Sequence, residues 1–174
     1  MEISTSLLNA NENKIVQTIY DLEVAHTDYF HIDVMDGRFV SNDTSEKMRK
    51  YSEYLNQITT VPIDVHLMVT NIKEYIDSYI IFNPNIISFH YEACKDNEEV
   101  YKFINYIKEN NCKVGLAIKP ETEIKEIEKF LPNINMLLIM SVEPGKGGQK
   151  FIDNTIDKIR EAKNIIDKLN LETE

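Results

Sequence analysis

The sequence predicts a parallel α/β fold, and three observations predict it. Short apolar runs rich in Ile, Val, Phe and Leu alternate six times with longer segments of helical periodicity. That is the pattern of parallel strands joined by right-handed helical crossovers. Nothing resembling a linker, a low-complexity tract or a second domain interrupts it. The third observation is chemical: polar residues fall at the C-terminal ends of the runs, as Ser6, then His31 and Asp33, then His66, then His90 and Glu92, then Glu143 and the glycines after it. Periodicity alone does not choose between an open doubly wound sheet and a closed (β/α) barrel. The polar ends favour the barrel, which brings every strand end to one mouth, where enzymes of this architecture build their sites.

Taken in order, Ile3 to Leu8 reads as a short strand, followed by a helix over Asn11 to Ala25 with Ile15, Val16, Ile19 and Leu22 on or near one stripe. Asp28 to Met35 is the second strand. A helix over Asp43 to Ile58 places Met48, Tyr51 and Leu55 at helical spacing, with Asp43 or Thr44 as its N-cap. Val61 to Val69 is the third strand, Asn71 to Phe82 a helix capped by Asn71, and Ile86 to Tyr91 the fourth strand. Asp96 to Asn110 reads as a helix, Lys113 to Ile118 as a strand, Glu121 to Leu131 as a helix, Met136 to Val142 as a strand and Ile152 to Leu169 as a last, highly charged helix.

The bulk numbers exclude several classes. At 174 residues and 43% hydrophobic, the chain suits one domain with a sizeable core, so residues 1–174 are read as a single unit. No run approaches the roughly 18 apolar residues of a membrane span, and Met1 to Ala10 lacks the pattern of a secretory leader, so a cytoplasmic protein is expected. The net charge of −10 is spread along the chain without a Lys/Arg block, which argues against nucleic-acid or membrane partners. Cys94 and Cys112 are expected to be free thiols.

The chemistry concentrates in three stretches. In His31-Ile32-Asp33-Val34-Met35-Asp36-Gly37, strand alternation puts His31, Asp33 and Met35 on one face. Asp64-Val65-His66-Leu67-Met68 repeats the device on the next strand, with Asp64 deeper on the same side. Three of the four His sit on strands where a core would prefer Val or Ile, while His26 is read as a surface residue. Two readings of each motif stand at this point: a metal site, or a hydrogen-bonded polar strand end. Met35, Met68 and Met140 read equally as core filler or as a soft wall around a ligand. The third stretch, Ser141-Val142-Glu143-Pro144-Gly145-Lys146-Gly147-Gly148-Gln149, lets backbone N–H groups approach an anion, or is simply a tight turn or lid.

Together these stretches closely resemble the ribulose-phosphate 3-epimerase family. His31-Ile32-Asp33-Val34-Met35-Asp36-Gly37, Asp64-Val65-His66-Leu67-Met68-Val69, Phe89-His90-Tyr91-Glu92-Ala93 and the run from Met140 to Phe151 match it in order and spacing. Ser6-Leu7-Leu8 and Lys119-Pro120-Glu121-Thr122 resemble two further motifs of that family. The resemblance covers essentially the whole chain.

It implies a TIM (β/α)8 barrel, of which about six β/α units are present, and interconversion of D-ribulose 5-phosphate and D-xylulose 5-phosphate at C3. It also implies one divalent metal ion (Zn, Fe, Mn or Co) held by His31, Asp33 and His66, with Asp33 as one catalytic acid/base. By the same resemblance Ser6, Met35, Met68 and Met140 line the substrate, Gly145, Gly147 and Gly148 belong to the loop near the phosphate, and Gln149 steadies that loop. The expected partners are a phosphorylated ketopentose and further copies of the chain, as a dimer or hexamer.

Two departures stand out. Lys146 replaces the family's usual Phe. The family also continues past the sixth helix with a seventh strand carrying the opposing acid and fourth ligand, and an eighth carrying phosphate-binding Gly and Ser, whereas this sequence ends at Glu174. Eight units need at least about 200 residues. A six-stranded arc is expected to leave two strand edges open. The expected explanations are recent truncation, completion by a partner chain, or a remnant that binds metal and phosphate without catalysis. D-allulose-6-phosphate 3-epimerase is the alternative enzyme.

Overall fold

A computed structural model describes residues 2–174. The strands are β1 (Ser4–Ser6), β2 (Tyr29–Met35), β3 (Ile63–Met68), β4 (Ile86–His90), β5 (Lys113–Ile118) and β6 (Met136–Ile139). The α-helices are α1 (Ile15–Val24), α2 (Ser45–Ile58), α3 (Ile72–Ile80), α4 (Asn97–Glu109), α5 (Ile124–Ile127) and α6 (Thr155–Lys168). All strands are parallel and pair in sequence order, β1-β2-β3-β4-β5-β6, as one curled sheet with the crossover helices between its strands. The architecture is six units of an incomplete (β/α) barrel.

Each strand divides its two faces between packing and chemistry. The apolar core gathers Phe30, Ile32 and Val34 from β2, Val65 and Leu67 from β3, Ile87 and Phe89 from β4, and Val114, Leu116 and Ile118 from β5. These are the alternate residues that face the helices. The helices answer with their own stripes, most regularly α4, whose Val100, Phe103, Ile104 and Ile107 are buried at helical spacing. Asp96 caps that helix by accepting from the Glu99 N–H at 2.9 Å. The opposite face carries His31, Asp33, His66 and His90. Gly115 belongs to this inner face as well: a Cβ there would sit 2.5 Å from Ser88 Cβ, so only glycine lets β4 and β5 approach.

Several expectations change in detail. The strand expected over Ile3 to Leu8 is only Ser4–Ser6, although Leu7 N–H still donates to His31 O at 3.2 Å. The helix expected over Glu121 to Leu131 is a single α-turn continued by a 3-10 helix, Glu128–Asn133, that contains Pro132. Proline lacks an N–H and disfavours helical backbone in the residue before it, so the α-helix cannot continue. Thr44 and Asn71 occupy the N-cap positions of α2 and α3 without a side-chain cap bond; the Asn71 amide instead donates to Glu74 at 2.7 Å. Three helices end alike, with His26, Asn111 and Asn170 in the left-handed region at φ 61, 58 and 52. At each, the next residue's N–H reaches back to the carbonyl five residues earlier: Leu22, Ile107 and Ile166 respectively.

Next to β6, Glu174 N–H donates to Asn135 O at 3.0 Å and accepts at its own carbonyl from Leu137 N–H at 2.8 Å, so the last residues run beside this strand. Cys94 and Cys112 are free thiols, and burial pushes the pKa of each up to about 12, which disfavours the thiolate. Among the described residues no helix is long and apolar enough to cross a membrane.

Candidate active site

Parallel register assembles the site. His31 of β2 lies beside Asp64 of β3, Asp33 beside His66, and Met35 beside Met68, while His66 lies beside Ser88 of β4. Alternation turns these pairs into the barrel interior in successive layers, with the helix-facing residues between them. β2 is held at its end by Thr44, whose hydroxyl donates to Asp33 O at 2.7 Å and accepts from Met35 N–H at 3.0 Å.

Asp33 is the meeting point. Its Oδ1 lies 3.2 Å from His31 Nε2 and 3.4 Å from His66 Nδ1, while its Oδ2 accepts from the Ser6 hydroxyl at 2.6 Å. One ligand atom from each of His31, Asp33 and His66 lies within 4.8 Å of the others. Metal–ligand bonds of about 2.1 Å at tetrahedral to right angles would separate donor atoms by about 3.0–3.4 Å, so the two Asp33 contacts suit a shared cation. Two imidazoles and a carboxylate are also a donor set for Zn, Fe, Mn or Co.

The groups behind the donors are arranged to aim them. His31 Nδ1 bonds Asp64 Oδ2 at 2.7 Å, which leaves Nε2 for the cluster, and the Ser4 hydroxyl donates to the same oxygen at 2.9 Å. Asp64 Oδ1 is buried without a hydrogen-bond partner among the described residues. Burial by itself would lower the His31 pKa, but its bonds to Asp33 and Asp64 outweigh burial and push it up to about 10. Burial likewise opposes ionisation of Asp33, yet the imidazoles of His31 and His66 hold its carboxyl well below the usual carboxylate range. Asp33 is therefore an ionised base at neutral pH.

A second chain of contacts runs away from the cluster. His66 Nε2 lies 2.9 Å from His90 Nε2, and His90 Nδ1 lies 3.0 Å from Glu92 Oε2. Glu92 Oε1 accepts from Lys119 N–H at 2.7 Å and from the Thr122 hydroxyl. Burial opposes the Glu92 charge, but these donors, His90 first, bring its pKa down to about 2. Burial lowers His90 to about 4 against the pull of Glu92. The Phe39 ring packs tilted against His90 with ring centres 4.9 Å apart, and Lys119 Nζ lies 4.7 Å from the centre of the Phe39 ring.

The cluster opens into a cavity of about 320 Å³. Of the residues predicted from sequence, Ser6, His31, Asp33, Met35, His66, Met68, Met140, Gly145 and Gly147 line it, whereas Gly148 and Gln149 do not. Gln149 instead closes its own loop, donating to Glu143 O at 2.5 Å and Lys146 O at 2.9 Å. The loop is also tied across the mouth: Asn42 Nδ2 donates to Gly145 O at 2.6 Å, and Gly145 adopts φ +113 with Val40 only 2.9 Å from where a Cβ would be. Asn9, Leu138, Glu143 and Lys146 line the cavity too. Asn9 and Leu138 were missed by sequence reasoning, although a polar Asn just beyond the first strand end was a usable signal. Phe39, Val40 and Asn42 carried none, because a loop has no periodicity to interpret.

A parallel β/α array whose ionised carboxylate and two imidazoles converge at the C-terminal strand ends defines a barrel protein of the enzyme type. Comparison with known proteins gives the particular family. The chain belongs to the ribulose-phosphate 3-epimerase family, whose model matches residues 2–174. It is 36% identical over 168 residues to ribulose-phosphate 3-epimerase of Bacillus subtilis, covering 97% of this chain and 75% of that protein. It is 38% identical over 171 residues to the Buchnera aphidicola protein of that name, covering 95% and 72%. For the Escherichia coli K12 protein of the same name the figures are 37% over 166 residues, 95% and 72%.

Proposed function

We propose that this chain provides the cation-binding and proton-transferring side of a C3 epimerase acting on D-ribulose 5-phosphate and D-xylulose 5-phosphate. The observation that carries this reading is the convergence of Asp33 with His31 and His66 at the floor of the cavity. C3 lies next to the C2 carbonyl, so removing its proton gives an enediolate, and returning a proton to the other face inverts the centre. Asp33 is the base for one face: Ser6 orients its Oδ2, and its ionised state is secured by the two imidazoles. A divalent cation held by His31, Asp33 and His66 would supply Lewis-acid polarisation of the substrate oxygens. Met35, Met68 and Met140 form the apolar wall that keeps water from the reacting carbon. Gly145 and Gly147 place backbone where the substrate phosphate would lie, and Lys146 adds a positive charge to the same loop. The family resemblance assigns the acid for the other face to a seventh strand.

The test is exchange of the C3 proton in deuterated buffer, followed by NMR, with Mn, Co, Fe or Zn supplied in turn. Exchange on the pentulose phosphates that disappears in Asp33→Asn, with the fold retained, is the expected result. Undiminished exchange in Asp33→Asn would overturn the assignment. A clear preference for D-allulose 6-phosphate would move the substrate to a hexulose phosphate.

A further inference from the structure

We propose that Glu92, acting through His90, fixes which ring nitrogen of His66 carries hydrogen and so keeps His66 Nδ1 free to act as a ligand atom. Both are positioning residues. The inference rests on the reading of His31, Asp33 and His66 as cation ligands.

The direction of the chain follows from what each atom is able to do. An ionised carboxylate only accepts. Glu92 Oε1 is committed to the Lys119 backbone N–H at 2.7 Å and to the Thr122 hydroxyl, so Oε2 is left to accept from His90 Nδ1 at 3.0 Å. His90 must therefore carry its hydrogen on Nδ1. Its ring is fully buried and touches a carboxylate on that side only, so one hydrogen is what its surroundings support. His90 Nε2 is then an acceptor, and the 2.9 Å contact between the two Nε2 atoms is satisfied only if His66 Nε2 donates. The nitrogen of His66 that faces the cluster, Nδ1, is thereby the one left for a cation, which would take the place of any hydrogen shared there with Asp33 Oδ1. His31 is oriented directly by Asp64, whereas His66 is oriented through an intervening imidazole.

Glu92→Gln should reverse this chain while hardly changing its shape. The Lys119 N–H can only donate, so the Gln oxygen must take the Oε1 position and its NH2 must face His90 Nδ1. His90 would then have to accept at Nδ1 and carry its hydrogen on Nε2. That hydrogen would point at His66 Nε2 and drive the His66 hydrogen onto Nδ1, where Asp33 Oδ1 waits at 3.4 Å. Glu92→Ala removes the constraint without imposing the opposite one.

Two measurements on the whole chain test this. Long-range 1H–15N correlation of the imidazoles without added metal should show His66 Nε2 protonated in the native protein and unprotonated in E92Q. Calorimetric titration with zinc chloride should show E92Q binding about 10- to 100-fold more weakly, with E92A between E92Q and the native protein. A merely structural role predicts the reverse order, because alanine loses every Glu92 hydrogen bond and glutamine keeps most of them. If E92A does not fold, judged by its thermal melt, the His66 nitrogen pattern and zinc affinity of E92Q decide alone. Native-like zinc binding and an unchanged His66 pattern in E92Q would overturn the proposal while leaving the cluster assignment standing. Failure of the native chain to bind zinc, with His31 and His66 resonances unmoved by it, would instead overturn the cluster reading itself.

Discussion

Gly115→Ala links packing to the site in one substitution. A Cβ at this position would lie 2.5 Å from Ser88 Cβ, 3.0 Å from Met136 Cε and 3.1 Å from Ser88 Cα. Ordinary carbon contacts begin near about 3.5 Å, so β4 and β5 would have to separate by about 1 Å. These strands are hydrogen-bonded along Ser88 and Gly115, and Met136 can yield while the Ser88 backbone resists. Overpacking of this kind costs about 1–3 kcal/mol, and we expect the upper half of that range. For a chain of this size that lowers Tm by about 4–12 °C. Ser88 is also the register neighbour of His66 and lies two residues before His90, so the same shift should lengthen the 2.9 Å contact between the imidazoles. Urea denaturation supplies the stability, and zinc titration the state of the site. The double variant Ser88→Gly, Gly115→Ala should recover most of the loss, giving a coupling of about 1–2 kcal/mol. A loss below about 0.5 kcal/mol in Gly115→Ala, or no recovery in the double variant, would refute the argument.

The other predictions concern charge and local conformation. Asp64→Asn should weaken zinc binding by about 10- to 100-fold, because His31 loses the carboxylate that aims its Nε2; unchanged affinity by calorimetry would contradict this. In buffer with a chelator, stability should peak near pH 6.5. His31, raised to about 10, contributes fully below 6.5 and loses its contribution as pH rises through 10. His90, lowered to about 4, costs stability as pH falls from 6.5 to 4, and Glu92, lowered to about 2, does so from 4.5 to 2, with depressed Asp33 adding to that acid limb. Urea midpoints that stay flat from pH 4 to 10 would refute the linkage. His26→Gly should stabilise by about 0.5–1 kcal/mol, since glycine adopts the φ of 61 without strain, and a lower Tm would count against it. Asn42→Ala should speed amide exchange across residues 143–149 by freeing Gly145 O, and protection equal to the native protein would show that this bond does not hold the loop.

Much of the architecture was legible because period-two alternation carries it. His31, Asp33 and Met35 were placed on one face, and register sets them beside Asp64, His66 and Met68. Alternation names a face but not a neighbour at a given height. The contact of His66 with His90, and the attachment of Glu92 to Lys119 and Thr122, depend on how strands are staggered, which no local pattern encodes. The helix expected after β5 failed for a local reason that was in view, Pro132, whose effect reached back along a segment that otherwise reads as helical. The loop from Asp36 to Asn42 was opaque for another reason. Its order comes from Asp36, whose carboxylate accepts from the N–H groups of Arg38, Phe39 and Thr70, so its shape is set partly from a different strand end.

The two faces of the sheet separate heritable tolerance from heritable function. Residues such as Ile32, Val65, Leu67 and Phe89 press on the helices, so substitutions there are judged by volume, while His31, Asp33 and His66 are judged by the atoms they present. Because adjacent positions in one strand answer to different demands, the side chains around the cavity can change with less disturbance to the scaffold than those of the packed face, Gly115 excepted, and the packed face can drift while the interior stays fixed. A lineage built this way can change its ligand, its cation or its reaction through a handful of alternate codons, without first rebuilding a fold.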